Sequence, residues 1–573
     1  MNPARIVIYG ALVALVCLPA LAQDLPIDAS IATDAARLKL VQTNLNAIGI
    51  NVGKPDGNFG KASKRGFQRF MDKFGVAALD PAAEQRLEQV VRTYTQAPWD
   101  VAPATPVPFL VDTGIKSSWD VREAIDRCAD GSCTVAPGLL ATGDLTGDGL
   151  PELVYATLLT DLRGEQLDRP SSIVIMSPLG AAPAERGRYQ VLPVTMADGK
   201  PLVRVHANRA IIRDLNGDGI GDLYVAVQGH DHPPYKGGQD VLLLSGPDGL
   251  VDVSYDNIPV ENSMGHGIDA GDLDGDGDLD LIVTTNYGQK KIEPSVLWND
   301  GHGKFTHAKL ETILEPSLAR FLLKQNPDFS KYATIKIADI DADGFQDLIL
   351  CAEAPEIGVR YSGMTLSRIA FGDGSGKWTR ANTIELPTDR FGNDTITSNV
   401  SLIDYDQDGK TDLVMTLSLR DRSRGSFEAW RGQYQQILRN QGGRKFVDVT
   451  DQVMFPQGYD ATALSYAEDT LVVDLDSDGD SDLVLVSADP WAPWEKERRA
   501  PKVAINDGEG HFLWADPARN ARDSSGRMLA AVDADNDGDI DIVGLSLLGK
   551  DAPNGDYLAY GFKVTFYQNV TTR

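Results

Sequence analysis

The sequence predicts a mainly β chain, a seven-bladed β-propeller preceded by a small all-α domain, on two observations. An acidic nine-residue phrase recurs seven times at intervals of 58 to 70 residues, about the length of a four-stranded sheet with its loops. Ahead of the first phrase, residues 34–75 carry apolar residues at helical rather than strand spacing. A chain of 573 residues is too long for one ordinary domain unless most of it is such a repeat. The net charge of −28 argues against nucleic acid and anionic lipid as partners.

Residues 1–22 read as a signal peptide. One Arg precedes an apolar run from Ile6 to Leu18, and Ala20-Leu21-Ala22 gives the small-residue cleavage pattern. The run is short for a bilayer, and no later segment is long and apolar enough to be a membrane span. The expectation is therefore an exported protein, periplasmic or at the cell surface. Cys17 leaves with the signal. Cys128 and Cys133 flank the short turn ADGS, and export favours a disulfide between them. Cys351 follows the apolar stretch LIL and reads as a buried thiol.

In the small domain, spanning 34–96, Leu38, Val41, Leu45 and Ile48 mark one helix and Phe67, Phe70 and Phe74 a second, around a Gly-rich turn. Residues 80–96 read as an extra helix. Residues 97–106 form a Pro-rich linker. The positions Val41, Gln42, Leu45, Gly49, Asp56-Gly57, Phe59-Gly60 and Phe70 resemble the small helical peptidoglycan-binding domain of bacterial wall proteins; Ser63, Gly66 and Met71 depart from that pattern. The resemblance implies peptidoglycan as a partner, met by the Asp56-Gly57-Asn58 turn with Lys61, Ser63 and Arg65.

Residues 107–573 hold the seven phrases. Each places an oxygen-bearing side chain at positions 1, 3, 5 and 9 and Gly at position 6. The candidate metal ligands are Asp144, Thr146, Asp148 and Glu152 in the first; Asp214, Asn216, Asp218 and Asp222 in the second; and Asp272, Asp274, Asp276 and Asp280 in the third. The fourth supplies Asp339, Asp341, Asp343 and Asp347, and the fifth Asp404, Asp406, Asp408 and Asp412. The sixth has Asp474, Asp476, Asp478 and Asp482, and the seventh Asp533, Asp535, Asp537 and Asp541. Alternation brings positions 1, 3 and 5 to one side of a tight curl. Gly at 6 allows a turn that a Cβ would obstruct, and position 9 returns from the first residues of a strand. Hard, mostly charged oxygen ligands on a flexible loop suit Ca²⁺, up to seven ions, better than Zn²⁺ or Mg²⁺.

The seven loops hold 29 carboxylates, about the whole acidic excess of the chain. Two carboxylates about 4 Å apart repel by roughly 1 kcal/mol even in bulk water, and several-fold more at a protein surface. Such crowding calls for a counter-ion. Apolar twelfth positions such as Val225, Val283 and Leu350, followed by β-prone segments, exclude an EF-hand. The loops resemble the FG-GAP/VCBS repeats of integrin-α-type β-propellers, which implies calcium-binding blades. Hairpin turns at 297–305, 371–378, 438–446 and 505–512 lead into outer strands, with degenerate versions at 185–189 and 246–251. The seventh blade stops at 564–569 without an outer strand, and 107–112 is expected to pair there and close the ring.

The acidic loops share one face, and the resemblance to other propellers implies that ligand recognition falls to the opposite one. His230, Asp231, His232 and His266 lie in loops assigned to that face, and Trp491 and Trp494 offer aromatic surfaces suited to sugar stacking. No nucleophile or phosphate-loop signature stands out. The preferred reading is a non-enzymatic envelope protein that recognises a glycan or another envelope or surface protein. The alternative is a polysaccharide-cleaving enzyme with its site at His230 and His266.

Overall fold

The computed structural model describes residues 27–47, parts of 52–87, 110–112 and, apart from gaps in the connecting loops, 133–569. It divides into two compact units, residues 1–46 with 50–89, and residues 47–49 with 90–573.

In the first unit the predicted helix forms at Ala35–Ala47. Asp34 opens it by accepting from the N–H groups of Ala36 and Arg37 at 3.0 and 3.1 Å, which fills donors that a helix start leaves unpaired. Leu38, Val41 and Leu45 are buried with Ile31, Phe67, Leu79 and Leu87. Residues 81, 83–85 and 87 are helical. Arg37 forks onto Glu84, with Nε to Oε1 at 3.2 Å, so the expected extra helix belongs to this small core. Gln42, 1% exposed, fixes the Gly-rich turn. Its Oε1 accepts from the N–H of Asp56 and Gly57, and its Nε2 donates to Asp56 Oδ1, Asn58 O and Ser63 Oγ. Gly57 has φ +80°, and a Cβ there would meet Ala35 O at 2.6 Å. Ser63 is buried beneath Gln42, which corrects its placement among the reachable polar groups; Asp56 and Asn58 stay exposed.

In the second unit the strands form seven antiparallel sheets, six of them following chain order from an innermost strand outward. In the third repeat the order is Gly265–Gly271, Asp280–Thr285, Ser295–Asn299, Phe305–Lys309. The innermost strands contact one another in sequence, and Ala530–Val532 of the last repeat meets Cys133–Gly143 of the first. After their first residue the second strands are largely apolar, as in DLYVAV and DLIVTT, because neighbouring blades cover both faces; every residue of Asp222–Val227 and Asp280–Thr285 is buried.

Six of the sheets are built from contiguous chain, and the seventh is composite, closed by the segment expected to pair there. Among the described residues the seventh repeat has three strands of its own, Ala530–Val532, Asp541–Asp551 and Tyr557–Asn569. Its fourth strand is Leu110–Asp112, paired antiparallel with Leu110 opposite Asn569 and Asp112 opposite Tyr567. The two ends of the propeller chain thus close the ring and cover a sheet edge.

Helix Pro316–Gln325 stands between the third and fourth blades. Leu318, Ala319 and Leu322 enter a shared core with Ile335, Leu348 and Trp378, and Phe321 lies between Arg368 and Arg380, at 5.2 and 4.2 Å from its ring centroid. The fourth blade departs from the predicted hairpin here. Trp378 bridges to Leu314, and the outer strand starts later, at Thr383–Glu385.

Candidate metal centre

Each acidic loop joins the first and second strands of its blade, so all the described loops share one end of the ring. The position-1 aspartate folds the loop around itself. Asp339 accepts from the N–H of Asp343 at 3.1 Å and of Gly344 at 2.8 Å, and Asp474 does the same with Asp478 and Gly479, both at 3.1 Å. Position 6 is glycine in all seven loops, with φ between +79° and +96°, a region that a Cβ disfavours. Position 4 is also left-handed, at Gly147, Gly217 and Gly275 and at the non-glycines Ala342, Gln407 and Ser477. The sequence reading missed this second turn, whose only signal was a short or flexible residue at that place.

Position 9 is the first residue of the second strand in every blade, and it does more than close a cage. Asp482 accepts from Leu475 N–H and, across the sheet, from Asn506 N–H, both at 2.8 Å. Asp347 repeats the clamp with Ile340 and Gly372, and Asp280 with Leu273 and Asn299. Burial pushes these carboxyls up, to about 7 for Asp280, Asp412 and Asp482 and about 6 for Asp347; neighbouring loop carboxylates add to the shift.

Asparagines of the third strand, also missed, join the third, fifth and sixth blades to the loops of the blades before them. Nδ2 of Asn299 donates to Leu215 O at 2.8 Å, that of Asn440 to Ile340 O at 3.3 Å, and that of Asn506 to Tyr405 O at 2.9 Å. Each acceptor is the position-2 carbonyl of the previous loop.

Four loops bring three carboxylates with ligand atoms within 4.8 Å of one another. These are Asp272, Asp274 and Asp276; Asp339, Asp341 and Asp347; Asp404, Asp406 and Asp412; and Asp474, Asp476 and Asp482. At position 3 of the fourth, fifth and sixth loops, Oδ1 of Asp341, Asp406 and Asp476 is buried with no hydrogen-bond partner. An unpaired buried carboxylate oxygen is costly, and a hard divalent cation matches both the charge and the oxygen donors. The residues present therefore fit Ca²⁺.

The first two loops satisfy themselves. Thr146 Oγ1 and Ser177 Oγ donate to Glu152 Oε1 at 3.4 and 2.8 Å, while Leu145 N–H holds Oε2. Asn216 Nδ2 donates to Asp218 Oδ2 at 3.2 Å and to Ser245 O at 3.3 Å, and Ser245 caps Asp222 Oδ1 with both N–H and hydroxyl. Among the described residues neither loop assembles a three-carboxylate group. In the seventh, Asp533 accepts from Gly538 N–H and Asp541 from Ala534 N–H; Asp535 and Asp537 lie outside the described residues.

On the opposite end, His266 sits at the start of Gly265–Gly271, with Nδ1 3.1 Å from Met264 O. Burial pushes its pKa down to about 4, aided by the Arg209 charge, so the ring is neutral at pH 7. His230 follows Asp222–Val227. Asp231, His232, Trp491, Trp494 and Cys128 lie outside the described residues, as does the side chain of Cys133, and with it the expected disulfide. Cys351 is a buried free thiol pushed up to about 12 by desolvation, the state of an inert core cysteine.

Radial sheets carrying an acidic, left-handed-glycine loop between their first two strands define a propeller of acidic-loop repeats. The FG-GAP-like repeat family matches residues 214–283, 272–350, 339–415 and 474–544, and the chain carries FG-GAP-like repeats in a β-propeller. No curated protein matches it in sequence. Among solved structures, an exo-β-1,3-galactanase from Clostridium thermocellum aligns at 11% identity over 75% of this chain and 93% of that one, with a TM-score of 0.29. So loose an overlap carries no statement about chemistry. No helix among the described residues is long and apolar enough to cross a membrane.

Proposed function

We propose that this chain is an exported, non-enzymatic cell-envelope protein whose propeller is stabilised by calcium and presents a recognition face opposite the acidic loops. The observation that carries the calcium assignment is the set of buried, partnerless position-3 oxygens at Asp341, Asp406 and Asp476. Metal bound only by the folded form shifts the folding equilibrium by mass action.

In this reading the N-terminal unit holds peptidoglycan. Support comes from the Gln42 network, which keeps the Asp56-Gly57-Asn58 turn in one shape with Asp56 and Asn58 exposed. The propeller is then free to engage a second glycan or an envelope protein.

Co-sedimentation with purified sacculi tests the reading, using the mature chain with and without residues 23–96, in calcium and in chelator. Binding lost on truncation supports the wall anchor. Binding that survives truncation but needs calcium moves the glycan site to the propeller. No binding in any condition rejects peptidoglycan as a partner.

A further inference from the structure

The hairpin turns between third and outer strands provide an internal alignment. Gly303, Gly376 and Gly510 are equivalent, with φ of +72°, +66° and +82°. At the same place the fifth blade has Arg444, held at φ +62°. A long side chain in left-handed backbone is strained, so its retention needs a compensating contact. Arg444 has one in the preceding blade. Its guanidinium stacks 4.4 Å from the Phe371 ring centroid, with Nε 2.6 Å from Asp341 Oδ2 and Nη2 3.4 Å from Asp343 Oδ2.

The fifth loop has its own cations. Arg439 Nη2 lies 2.7 Å from Asp406 Oδ2 and 3.3 Å from Asp408 Oδ2, and Lys410 Nζ lies 2.7 Å from Asp408 Oδ2. Lys410 occupies position 7, where the third and sixth loops have Asp278 and Asp480. Among the described residues no lysine or arginine pairs with those two loops. Asp480, 5% exposed, keeps an unpartnered Oδ1 there in addition to that of Asp476.

We infer that Arg444 and Arg439 are built-in counter-ions that partly replace calcium in the fourth and fifth loops, dividing the metal sites into two classes. The third and sixth loops depend on bound calcium. The fourth and fifth are held by the chain's own guanidinium groups and bind calcium more weakly, because the incoming ion must displace an arginine from two carboxylates. This inference rests on the calcium reading above.

Calorimetric calcium titration of the full chain, wild type against Arg444→Gly and Arg439→Gln, tests it. Arg444→Gly restores the residue that the other blades carry. Each variant should gain one site at least tenfold tighter than in the wild type. Melting should separate charge from strain: Arg444→Gly should lower Tm in chelator, despite the relaxed backbone, and leave Tm in calcium nearly unchanged. Isotherms matching a calcium-binding wild type in number and affinity of sites, or a higher Tm of Arg444→Gly in chelator, would overturn the inference alone. If neither wild type nor variants bind calcium, both the inference and the calcium reading fall.

Discussion

The first two acidic loops and the third to sixth share a backbone plan but differ in what completes it. All six turn on a left-handed glycine at position 6, and each has its position-9 carboxylate at the start of the second strand. Position 3 separates them. Thr146 and Asn216 carry donors, and those donors turn inward to the loop's own carboxylates. Asp341, Asp406 and Asp476 carry none, and each leaves a buried oxygen unpaired. A hydrogen-bond donor or a cation can neutralise the same cage, and one side chain decides which.

Exchanging that side chain is the most direct way to break the comparison. Asp476→Asn should remove one bound calcium and, at a calcium concentration 100-fold above Kd, about 2.7 kcal/mol of stability. Asn216→Asp should do the reverse. It should destabilise the protein in chelator and add one calcium to the count from equilibrium dialysis. Unchanged counts in both variants would dissolve the distinction between the loops.

The inter-blade asparagines should cost less and ignore the metal. Asn506→Ala leaves Tyr405 O short of a buried donor, a loss of about 1–3 kcal/mol. Urea unfolding should show that loss equally in calcium and in chelator; a deficit confined to one condition would tie the asparagine to the metal instead.

A smaller effect is expected from pH. The position-9 carboxyls of Asp280, Asp347, Asp412 and Asp482 sit near 6 to 7, well above the 3.8 of an ordinary aspartate. Between about pH 4 and pH 7 the folded chain therefore holds more protons than the unfolded one, and without calcium it loses stability as pH rises across that window. Melting in chelator should give a higher Tm at pH 5 than at pH 7.5. In calcium the order should reverse, because the metal needs the ionised carboxylates. A Tm in chelator that rises from pH 5 to pH 7.5 would contradict the assignment.

Repetition made much of this legible. Seven copies allowed position 6 to be read as a turn glycine, position 9 as a strand start, and the missing strand of the last repeat as a segment supplied from 107–112. What stayed hidden depends on partners far along the chain. Asn299, Asn440 and Asn506 were visible as hairpin residues, but their acceptors lie 84, 100 and 101 residues away. Arg444 lies 103 residues from Asp341, and only the ring places it against the loop of the preceding blade. Thr146 and Asn216 stood out as departures from Asp. The position-9 carboxylates that meet these donors are also capped by Ser177 and Ser245, which no spacing rule names.

The central claim is that calcium holds the acidic loops of the folded chain. Thermal melting of the mature protein in calcium and in chelator, at matched low ionic strength, tests it most directly. Four sites filled at 100-fold above Kd would together contribute on the order of 10 kcal/mol, which for a domain of this size corresponds to a fall in Tm of about 10 °C on chelation. Superimposable melting curves would contradict it.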